Sequence, residues 1–395
     1  MVHNPRELNR SVILAELLRS RPASRKHLAE ATGISPATVT RAVDLLIASN
    51  VLREVSEVIS DTPGRRAVLL DVVSDQTFVV GVDLGASNTR IIVADLLGNP
   101  LRAAEVQTPG SETADGLARW LVAQIRSLGD GVWPLIAAVS LGLPGAVSHS
   151  DRSVSNAPNL PQVEEAEFLR VLEQELGINV IIDNDANYAL LGEQHFGAAR
   201  STSASAMLTI GSGLGAGLAI EGRILRGNHG IIGEFGQLPV GPLGTRLEHM
   251  VTGTGITRRA AEAGIELRSP ADLFADDVDG ALLALRGHFD HALLIVLTAI
   301  AVSCEPETIV LGGGIAKSLT GNLDRYQLAL EQNLRMSPRL VPAQLGDFSG
   351  AVGALVASMH VAYRALGVDE SALALLPTSQ TLTIERIDDV RRDRL

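Results

Sequence analysis

Two stretches of the chain repeat one arrangement, in which an apolar strand, a glycine-rich turn and a second apolar strand follow one another. The first occupies residues 78–94 with its turn at 83–88, and the second occupies residues 206–220 with its turn at 211–215. Glycine allows a backbone to lie against phosphate oxygens because it has no Cβ. One such turn is a weak signal and could be a plain hairpin. Two copies, with a third glycine run after the apolar stretch 308–311, predict a duplicated α/β fold with one phosphate-approaching loop per lobe.

The charge of the chain is unevenly distributed. Residues 1–70 hold ten Arg and Lys against seven Asp and Glu, a surplus of three, so the net charge of −12 leaves −15 for the remainder. A small basic head on an acidic body is expected when one part of a protein approaches nucleic-acid phosphates and the other does not.

Three short helices are predicted in the basic head. The first spans about 6–19, the second begins after Ser24 as its N-cap, and the third has Ser35 as its N-cap and Pro36 at its first position. The third helix has an apolar stripe of Val39, Val43 and Leu46. A turn of small residues joins the second helix to the third, which is the arrangement of a helix-turn-helix that reads DNA.

A hairpin is predicted after the third helix, with strands at 51–59 and 67–70 around a turn at 61–64, in the position of a wing. The residues expected to contact DNA lie at the start of the third helix and just past the hairpin tip: Ser35, Ala37, Thr38, Thr40, Arg41, Arg65 and Arg66. The plain alternative is a three-helix cap whose hairpin touches nothing, with Arg41 an ordinary solvated side chain.

Seven motifs, in order along the chain, are similar to those of the ROK family (repressor, open reading frame, kinase). They are Asp-Leu-Gly at 83–85, Gly-Leu-Pro-Gly at 142–145, Asn-Leu-Pro at 159–161, Asn-Asp-Ala-Asn at 184–187, the glycine loop at 211–217, Gly-Glu-Phe-Gly at 233–236 and the segment 306–314. The resemblance covers essentially residues 1–360. It implies a winged helix-turn-helix at 1–73, followed by an actin-like, hexokinase-like (ribonuclease H-like) ATPase fold in two lobes. The first lobe would span 76–190 and be completed by helices at about 350–376, and the second would span 191–349.

The resemblance also implies which residues hold ligands. Asp185 would be the catalytic base of a kinase, or in a repressor would accept a hydrogen bond from the same sugar hydroxyl. The implied sugar-binding residues are Asn159, Asn184, Asp185, Glu234, Gln237 and Glu248. The implied nucleotide-binding residues, if a nucleotide binds, are Asp83, Gly85, Gly211, Gly213, Gly215, Gly312, Gly313 and Gly314. The plain alternatives are ordinary surface acids for Glu234 and Glu248, and turn-forming side chains for the two asparagines.

Two departures from the family pattern change these expectations. Gln237 replaces the family's zinc-binding His, and the segment that follows it, 239–246, contains no cysteine, so no zinc or other metal site is expected. Residues 86–88 replace the Gly-Thr-Lys of the kinases, which removes a positive charge near the phosphates unless Arg90 supplies it. Strand alternation predicts that Arg90 faces elsewhere. ATP with Mg²⁺ held by Asp83 is therefore expected to bind weakly, and no cofactor is required.

ROK proteins with such a head are typically repressors. The resemblance thus implies a sugar-responsive transcriptional regulator of carbohydrate-metabolism genes, with a monosaccharide or its phosphate as effector. A homodimer or higher homo-oligomer would occupy a palindromic operator in double-stranded DNA. Two alternatives stay open: an ATP-dependent sugar kinase that retains a DNA-binding domain, and a docking protein whose acidic body recruits another protein.

The location of the protein is predicted from three observations. Cys304 is the single cysteine, no stretch has the length of uninterrupted apolar residues that a membrane span needs, and the first ten residues lack the apolar run of a signal peptide. A cytoplasmic protein without a membrane partner is expected. The tail at 380–395 mixes charges of both signs and is expected to be solvated or loosely packed.

Overall fold

The computed structural model describes residues 5–59, 66–240, 244–275, 280–378 and 381–392. The basic head is built from α1 (Pro5–Ser20), β1 (Ala23–Ser24), α2 (Arg25–Thr32), α3 (Pro36–Ala48), β2 (Leu52–Ile59) and β3 (Arg66–Val72). Its strands form one sheet in the order β1–β3–β2, with all neighbours antiparallel. The predicted helices and the two strands of the hairpin are confirmed. The hairpin tip, with Arg65, lies outside the described residues.

The helix ends in the head follow from local hydrogen bonding. Ser24 Oγ accepts the His27 backbone N–H at 3.2 Å, and Ser35 Oγ accepts the Thr38 backbone N–H at 3.4 Å. Both predicted N-caps are therefore in place, and each satisfies an N–H that the helix leaves without a partner. Gly33 ends α2 at a φ of 69°, where a side chain would be strained. These caps fix the short turn that presents α3.

The first lobe is a five-stranded sheet with helices on both faces. Its elements are β4 (Phe78–Leu84), β5 (Asn88–Asp95), β6 (Pro100–Gln107), α4 (Ala114–Leu128), β7 (Ile136–Leu143), β8 (Ala146–Ser148), β9 (Ser153–Ser155), α5 (Ala166–Leu176), β10 (Val180–Asn184) and α6 (Asp185–Phe196). The strand order is β10–β7–β4–β5–β6. β4, β5 and β6 run antiparallel, while β7 and β10 are parallel to β4.

The second lobe repeats this topology. Its elements are β11 (Ser205–Ile210), β12 (Leu214–Ile220), β13 (Arg223–Ile224), α7 (Glu248–Val251), α8 (Gly253–Glu262), α9 (Gly280–Cys304), β14 (Thr308–Gly312), α10 (Gly314–Leu319), α11 (Leu323–Asn333) and β15 (Arg339–Pro342), followed by α12 (Ser349–Ala365), α13 (Glu370–Leu373) and α14 (Ile384–Arg392). The strand order is β13–β12–β11–β14–β15, in which β11, β12 and β13 run antiparallel, while β14 and β15 are parallel to β11. This arrangement matches that of the first lobe. The predicted duplication is confirmed.

Helices α6 and α12 join the two lobes and pack against each other. α12 follows the second lobe in the chain but packs on β4 and β7 of the first, whereas α6 follows the first and also packs on β11 and β12 of the second. Their backbones approach so closely that a Cβ on Gly353 would lie 1.6 Å from the Tyr188 carbonyl oxygen. Glycine is required there because any side chain would collide with backbone.

The head packs on the far end of α12. Residues of α1 and α3 share one buried core with the C-terminal half of α12, with α13 and with the segment that follows it. The Asp369 backbone N–H donates to Ser11 Oγ at 2.7 Å across this contact. The tail differs from the prediction of a solvated segment: Leu382 and Ile387 are completely buried, and α14 packs on β6. The apolar side chains spaced among its charges anchor it despite its mixed charge.

Among the described residues one helix, α9, is long and apolar enough to cross a membrane by length and composition. Half of its most apolar window is buried within the protein, where it forms part of the second lobe's core. One such helix is weak evidence for a membrane span.

Candidate functional site

A cleft of about 1020 Å³ lies between the two lobes. It brings together the following sequence-predicted residues from both lobes: Asp83, Gly85, Asn159, Asn184, Asp185, Gly211, Gly213, Gly215, Glu234, Gln237, Glu248, Gly313 and Gly314. Gly312 does not line it; this residue ends β14, and a Cβ there would meet the side chain of Met207 at 2.4 Å. Residues from Asp83 to Gly314, at opposite ends of this set in sequence, thus meet at one site because both glycine loops open into the same space.

Asp185 lies where β10 passes into α6, at the carboxyl end of a strand, the usual position of ligand-binding side chains in such sheets. Its Oδ1 accepts the Ala186 backbone N–H at 2.7 Å. Asn184 is the N-cap of α6: its Oδ1 accepts the N–H groups of Ala186 and Asn187, and its Nδ2 donates to the Gly145 carbonyl at 2.8 Å. Asn184 therefore holds the turn that presents Asp185.

A row of carboxyl groups runs along the cleft. Burial, reinforced by repulsion from Asp185, raises the pKa of Asp83 to about 7, against an opposing effect of Arg90. Burial, with a contribution from Glu234, raises the pKa of Asp185 to about 6. Burial, with a contribution from Glu248, raises the pKa of Glu234 to about 7. Each carboxyl group is thus close enough to disfavour the charge on its neighbour. Groups of this kind accept hydrogen bonds from hydroxyls or take up protons near neutral pH.

Arg90 does not face away from the cleft, and the expectation from strand alternation was wrong. In the hairpin of β4 and β5, Asp83 pairs directly with Arg90, so their side chains point to the same face of the sheet. Arg90 lines the cleft, with its Nη1 4.0 Å from Asp83 Oδ2. The error came from counting alternation along one strand without fixing the register of the hairpin. The pairing of Leu84 with Thr89 across the short turn is the signal that could have placed Arg90.

The charge of Arg90 is already neutralised within the protein. Its Nη2 lies 2.7 Å from Glu105 Oε1 and 3.8 Å from Asp347 Oδ2. Lys317 Nζ binds the same Asp347 oxygen at 2.6 Å, and Arg391 of α14 lies 3.4 Å from Glu105 Oε2. Sequence reasoning missed Glu105, Asp347 and Lys317 at this end of the cleft, because no motif marks them. An arginine paired with three carboxylates is a poor substitute for a free lysine beside phosphate groups.

The opposite end of the cleft holds the remaining predicted sugar-binding residues. Glu234 and Gln237 lie on the turn after β13, and Glu248 begins α7. Gln237 Oε1 accepts a hydrogen bond from the Arg246 guanidinium. Asn159 is exposed on the facing lobe, and a Cβ on Gly213 would lie 3.4 Å from its Nδ2. No group of three or more His, Cys, Asp or Glu that could hold a metal ion occurs in the described part of the chain.

The predicted DNA-contacting residues of α3 form one surface. Ser35, Ala37, Thr40 and Arg41 are exposed and Thr38 is half-buried. Arg41 Nε donates to the Ala37 carbonyl at 3.2 Å, and the Ser35 and Thr38 hydroxyls lie 2.9 Å apart. Arg66 begins β3, but its side chain, like all of Arg65, lies outside the described residues. Short polar side chains leave the start of α3 free to approach a groove.

The fold and the cleft define a class of protein, in which a winged helix-turn-helix head is joined to a sugar-kinase-like domain of two duplicated lobes. Residues 79–359 match the model of the ROK family, and residues 8–53 match a model described as winged helix-turn-helix DNA-binding. The chain belongs to the ROK family, as its motifs predicted.

Three relatives illustrate the similarity. The DNA-binding transcriptional dual regulator NagC of Escherichia coli (strain K12) is 29% identical over 270 residues, which are 67% of this chain and 64% of that protein. The chain therefore matches slightly less than two thirds of that relative's length. The crystal structure of a ROK hexokinase from Thermus thermophilus has a TM-score of 0.60 at 30% identity and covers 71% of this chain and 97% of its own. The crystal structure of a ROK family transcriptional regulator, a homologue of the E. coli MLC protein, has a TM-score of 0.71 at 22% identity. The match covers 93% of this chain and 100% of that chain, so the shared fold includes the head.

Proposed function

We propose that this protein is a sugar-responsive DNA-binding transcriptional regulator that represses carbohydrate-metabolism genes from the cytoplasm. The observation that carries the proposal is the joining, in one chain, of an exposed helix-turn-helix surface to a cleft lined by carboxyl groups. The relative in E. coli that carries the name of a DNA-binding transcriptional regulator supports it. We take 1–73 as the DNA-binding unit, 76–190 with the helices at about 350–376 as the first lobe, and 191–349 as the second.

The head would bind double-stranded DNA as part of a dimer. The start of α3, with Ser35, Ala37, Thr38, Thr40 and Arg41, would enter the major groove, while Arg65 and Arg66 of the wing reach phosphate or the minor groove. Two heads related by a two-fold axis require a palindromic operator. The apolar side chains exposed along α9, such as Leu283 and Val302, offer a surface on which two or more copies could associate.

A monosaccharide or its phosphate would occupy the cleft. Asp185, Glu234 and Glu248 supply hydrogen-bond acceptors for its hydroxyls, and the amides of Asn159 and Gln237 supply both donors and acceptors. Asn184 would act by positioning Asp185. Because Gln237 is bound to Arg246 and the following segment offers no thiolate, we propose that the site works without zinc.

Helix α12 would carry the signal from the cleft to the head. Its first turn lies at the cleft, where a Cβ on Gly350 would meet the Asp83 carboxyl at 2.7 Å, and Ser349 Oγ donates to Glu193 Oε1 of α6 at 2.8 Å. About 25 Å further along, a length that follows from 17 residues at 1.5 Å each, its other end packs on the head. Closure of the lobes around a sugar would shift α12 and with it the spacing of the two heads.

An ATP-dependent sugar kinase with a retained head is the second candidate. It is favoured by Asp185, a carboxyl group with a pKa of about 6 at the position of a general base. Against it stands the first phosphate loop, which lacks a lysine and beside which Arg90 is paired with Glu105. ATP with Mg²⁺ at Asp83, held by the glycine loops, would therefore bind weakly, and regulation requires no cofactor.

Calorimetry with a panel of monosaccharides tests the proposal and separates the two candidates. The panel includes glucose, N-acetylglucosamine, mannose, xylose and fructose, and each titration is repeated with Asp185→Asn. We expect one sugar to bind the wild type and to bind the variant at least about tenfold more weakly, since a charged acceptor is lost. Sugar-dependent production of ADP from ATP would favour the kinase. Folded protein that binds no sugar would contradict both candidates.

A further inference from the structure

The cleft continues into a second chamber of about 640 Å³ on the side away from the phosphate loops. Asn159, Gln237, Glu248, Thr254 and Arg258 line both spaces and form their common wall. The chamber alone is lined by Glu164, Arg246 and His249. A ligand seated against Glu248 would therefore have open space in two directions, toward Asp185 and toward His249.

Described residues that follow Gln237 pair with described residues that precede Glu248. Pro239 and Arg246 form a β-bridge, the Val240 N–H donates to the Thr245 carbonyl at 3.1 Å, and the Leu247 N–H donates to the Leu238 carbonyl at 2.9 Å. Arg246 then reaches Gln237 with its guanidinium. Among the described residues between Gln237 and Glu248, Arg246 lines the chamber.

The row of carboxyl groups in the cleft reaches the wall that the cleft shares with this chamber. Asp185 and Glu234 line the cleft alone, and Glu248 lines both spaces, so acceptor groups extend from the cleft to the common wall. The chamber adds the imidazole of His249 and the carboxyl group of Glu164, while the Arg258 guanidinium lines both spaces. Glu164 is anchored because its Oε1 accepts the Ala157 N–H at 2.7 Å. Donors and acceptors distributed over two joined spaces suit a ligand with two rings, each carrying several hydroxyls.

We propose that the effector site takes a disaccharide, with one ring in the cleft beside Asp185 and Glu234 and the second in the chamber beside His249 and Arg258. This inference rests on the proposed sugar-binding function and specifies its ligand class. The ring in the cleft would present its hydroxymethyl group to Asp185, and the glycosidic bond would pass the common wall at Gln237 and Glu248.

The test compares each monosaccharide with its own disaccharides by calorimetry on the full chain. The pairs are glucose with maltose and cellobiose, N-acetylglucosamine with N,N′-diacetylchitobiose, and xylose with xylobiose. Two variants probe the chamber: His249→Trp fills it from a side chain that does not line the cleft, and Arg258→Ala removes a donor that lines both spaces. Arg268→Ala is the matched control. Each of the two arginines pairs with an acid four residues later: Arg258 lies 3.9 Å from Glu262, and Arg268 lies 3.7 Å from Asp272. Arg268 lines neither the cleft nor the chamber.

We expect one disaccharide to bind the wild type about tenfold or more tightly than its monosaccharide, which corresponds to about 1.4 kcal/mol. His249→Trp should abolish this difference and leave the monosaccharide affinity within about twofold, while Arg258→Ala should reduce the difference and Arg268→Ala should preserve it. A monosaccharide that binds as tightly as every disaccharide built from it, in wild type and both chamber variants, would overturn the two-ring ligand and leave the sugar-binding function standing. No binding of any sugar by folded protein would overturn both.

Discussion

The charge on Asp83 is the feature of the cleft whose energetic cost can be worked out most directly. Its side chain is 14% exposed, and burial together with Asp185 raises its pKa from 3.8 to about 7. A folded-state pKa above the unfolded value means that the folded protein binds the proton more tightly. The contribution to stability is then fully present below pH 3.8 and is lost as the pH rises through about 7. At 1.36 kcal/mol per tenfold change in the proton affinity, the charged carboxylate costs the fold about 4 kcal/mol above that pH.

Asp83→Asn removes this cost, because the amide keeps the shape of the carboxyl group and never ionises. We expect the variant to match the wild type near pH 4 and to exceed its free energy of unfolding by about 4 kcal/mol at pH 8. Urea unfolding followed by tryptophan fluorescence measures this, since both tryptophans, Trp120 and Trp133, belong to the first lobe together with Asp83. Asp75→Asn, at a side chain that is 61% exposed, is the control. A difference between Asp83→Asn and the wild type that does not change with pH would refute the argument.

Three further substitutions test other parts of the structure. Gly353→Ala should lower the free energy of unfolding in urea by about 3 kcal/mol or more, because its Cβ would lie 1.6 Å from the Tyr188 carbonyl oxygen. A decrease below about 0.5 kcal/mol would contradict the close packing of α6 on α12. Arg226→Ala should cost about 1–3 kcal/mol in the same assay, since the buried Asp183 loses a charged partner at 2.7 Å, and an unchanged midpoint would contradict this. Arg41→Ala should weaken binding to selected operator DNA by about 1–3 kcal/mol, measured by fluorescence anisotropy, because Arg41 is expected to contact a base. Equal affinity of variant and wild type would mean that Arg41 is an ordinary solvated side chain.

The elements that the sequence predicted best are those with strong local signals. Ser24, Ser35 and Pro36 marked the helix starts in the head because capping and the missing proline N–H act within one turn. The two glycine turns marked the duplicated hairpins for the same reason. The motifs also selected the residues that meet in the cleft, apart from Gly312, since each motif brought its own backbone geometry with it.

What the sequence did not reveal depends on contacts between distant segments. Arg90 was misplaced because its direction depends on the register between β4 and β5. The ion pairs of Lys317 with Asp347 and of Arg391 with Glu105 join residues 30 and 286 positions apart, and charge alone does not predict such partners. The tail was expected to be solvated because charge dominates its composition, yet Leu382 and Ile387 are completely buried and α14 packs on β6.

The central claim is that sugar in the cleft changes the affinity of the head for DNA. An operator is first selected from random double-stranded DNA, and its affinity is then measured by fluorescence anisotropy at fixed salt, with and without the sugar that binds. We predict a change of about 5–150-fold in the wild type, equivalent to about 1–3 kcal/mol of coupling, and unchanged sugar-free affinity but no response in Asp185→Asn. DNA affinity that stays the same at saturating sugar in the wild type would contradict the account.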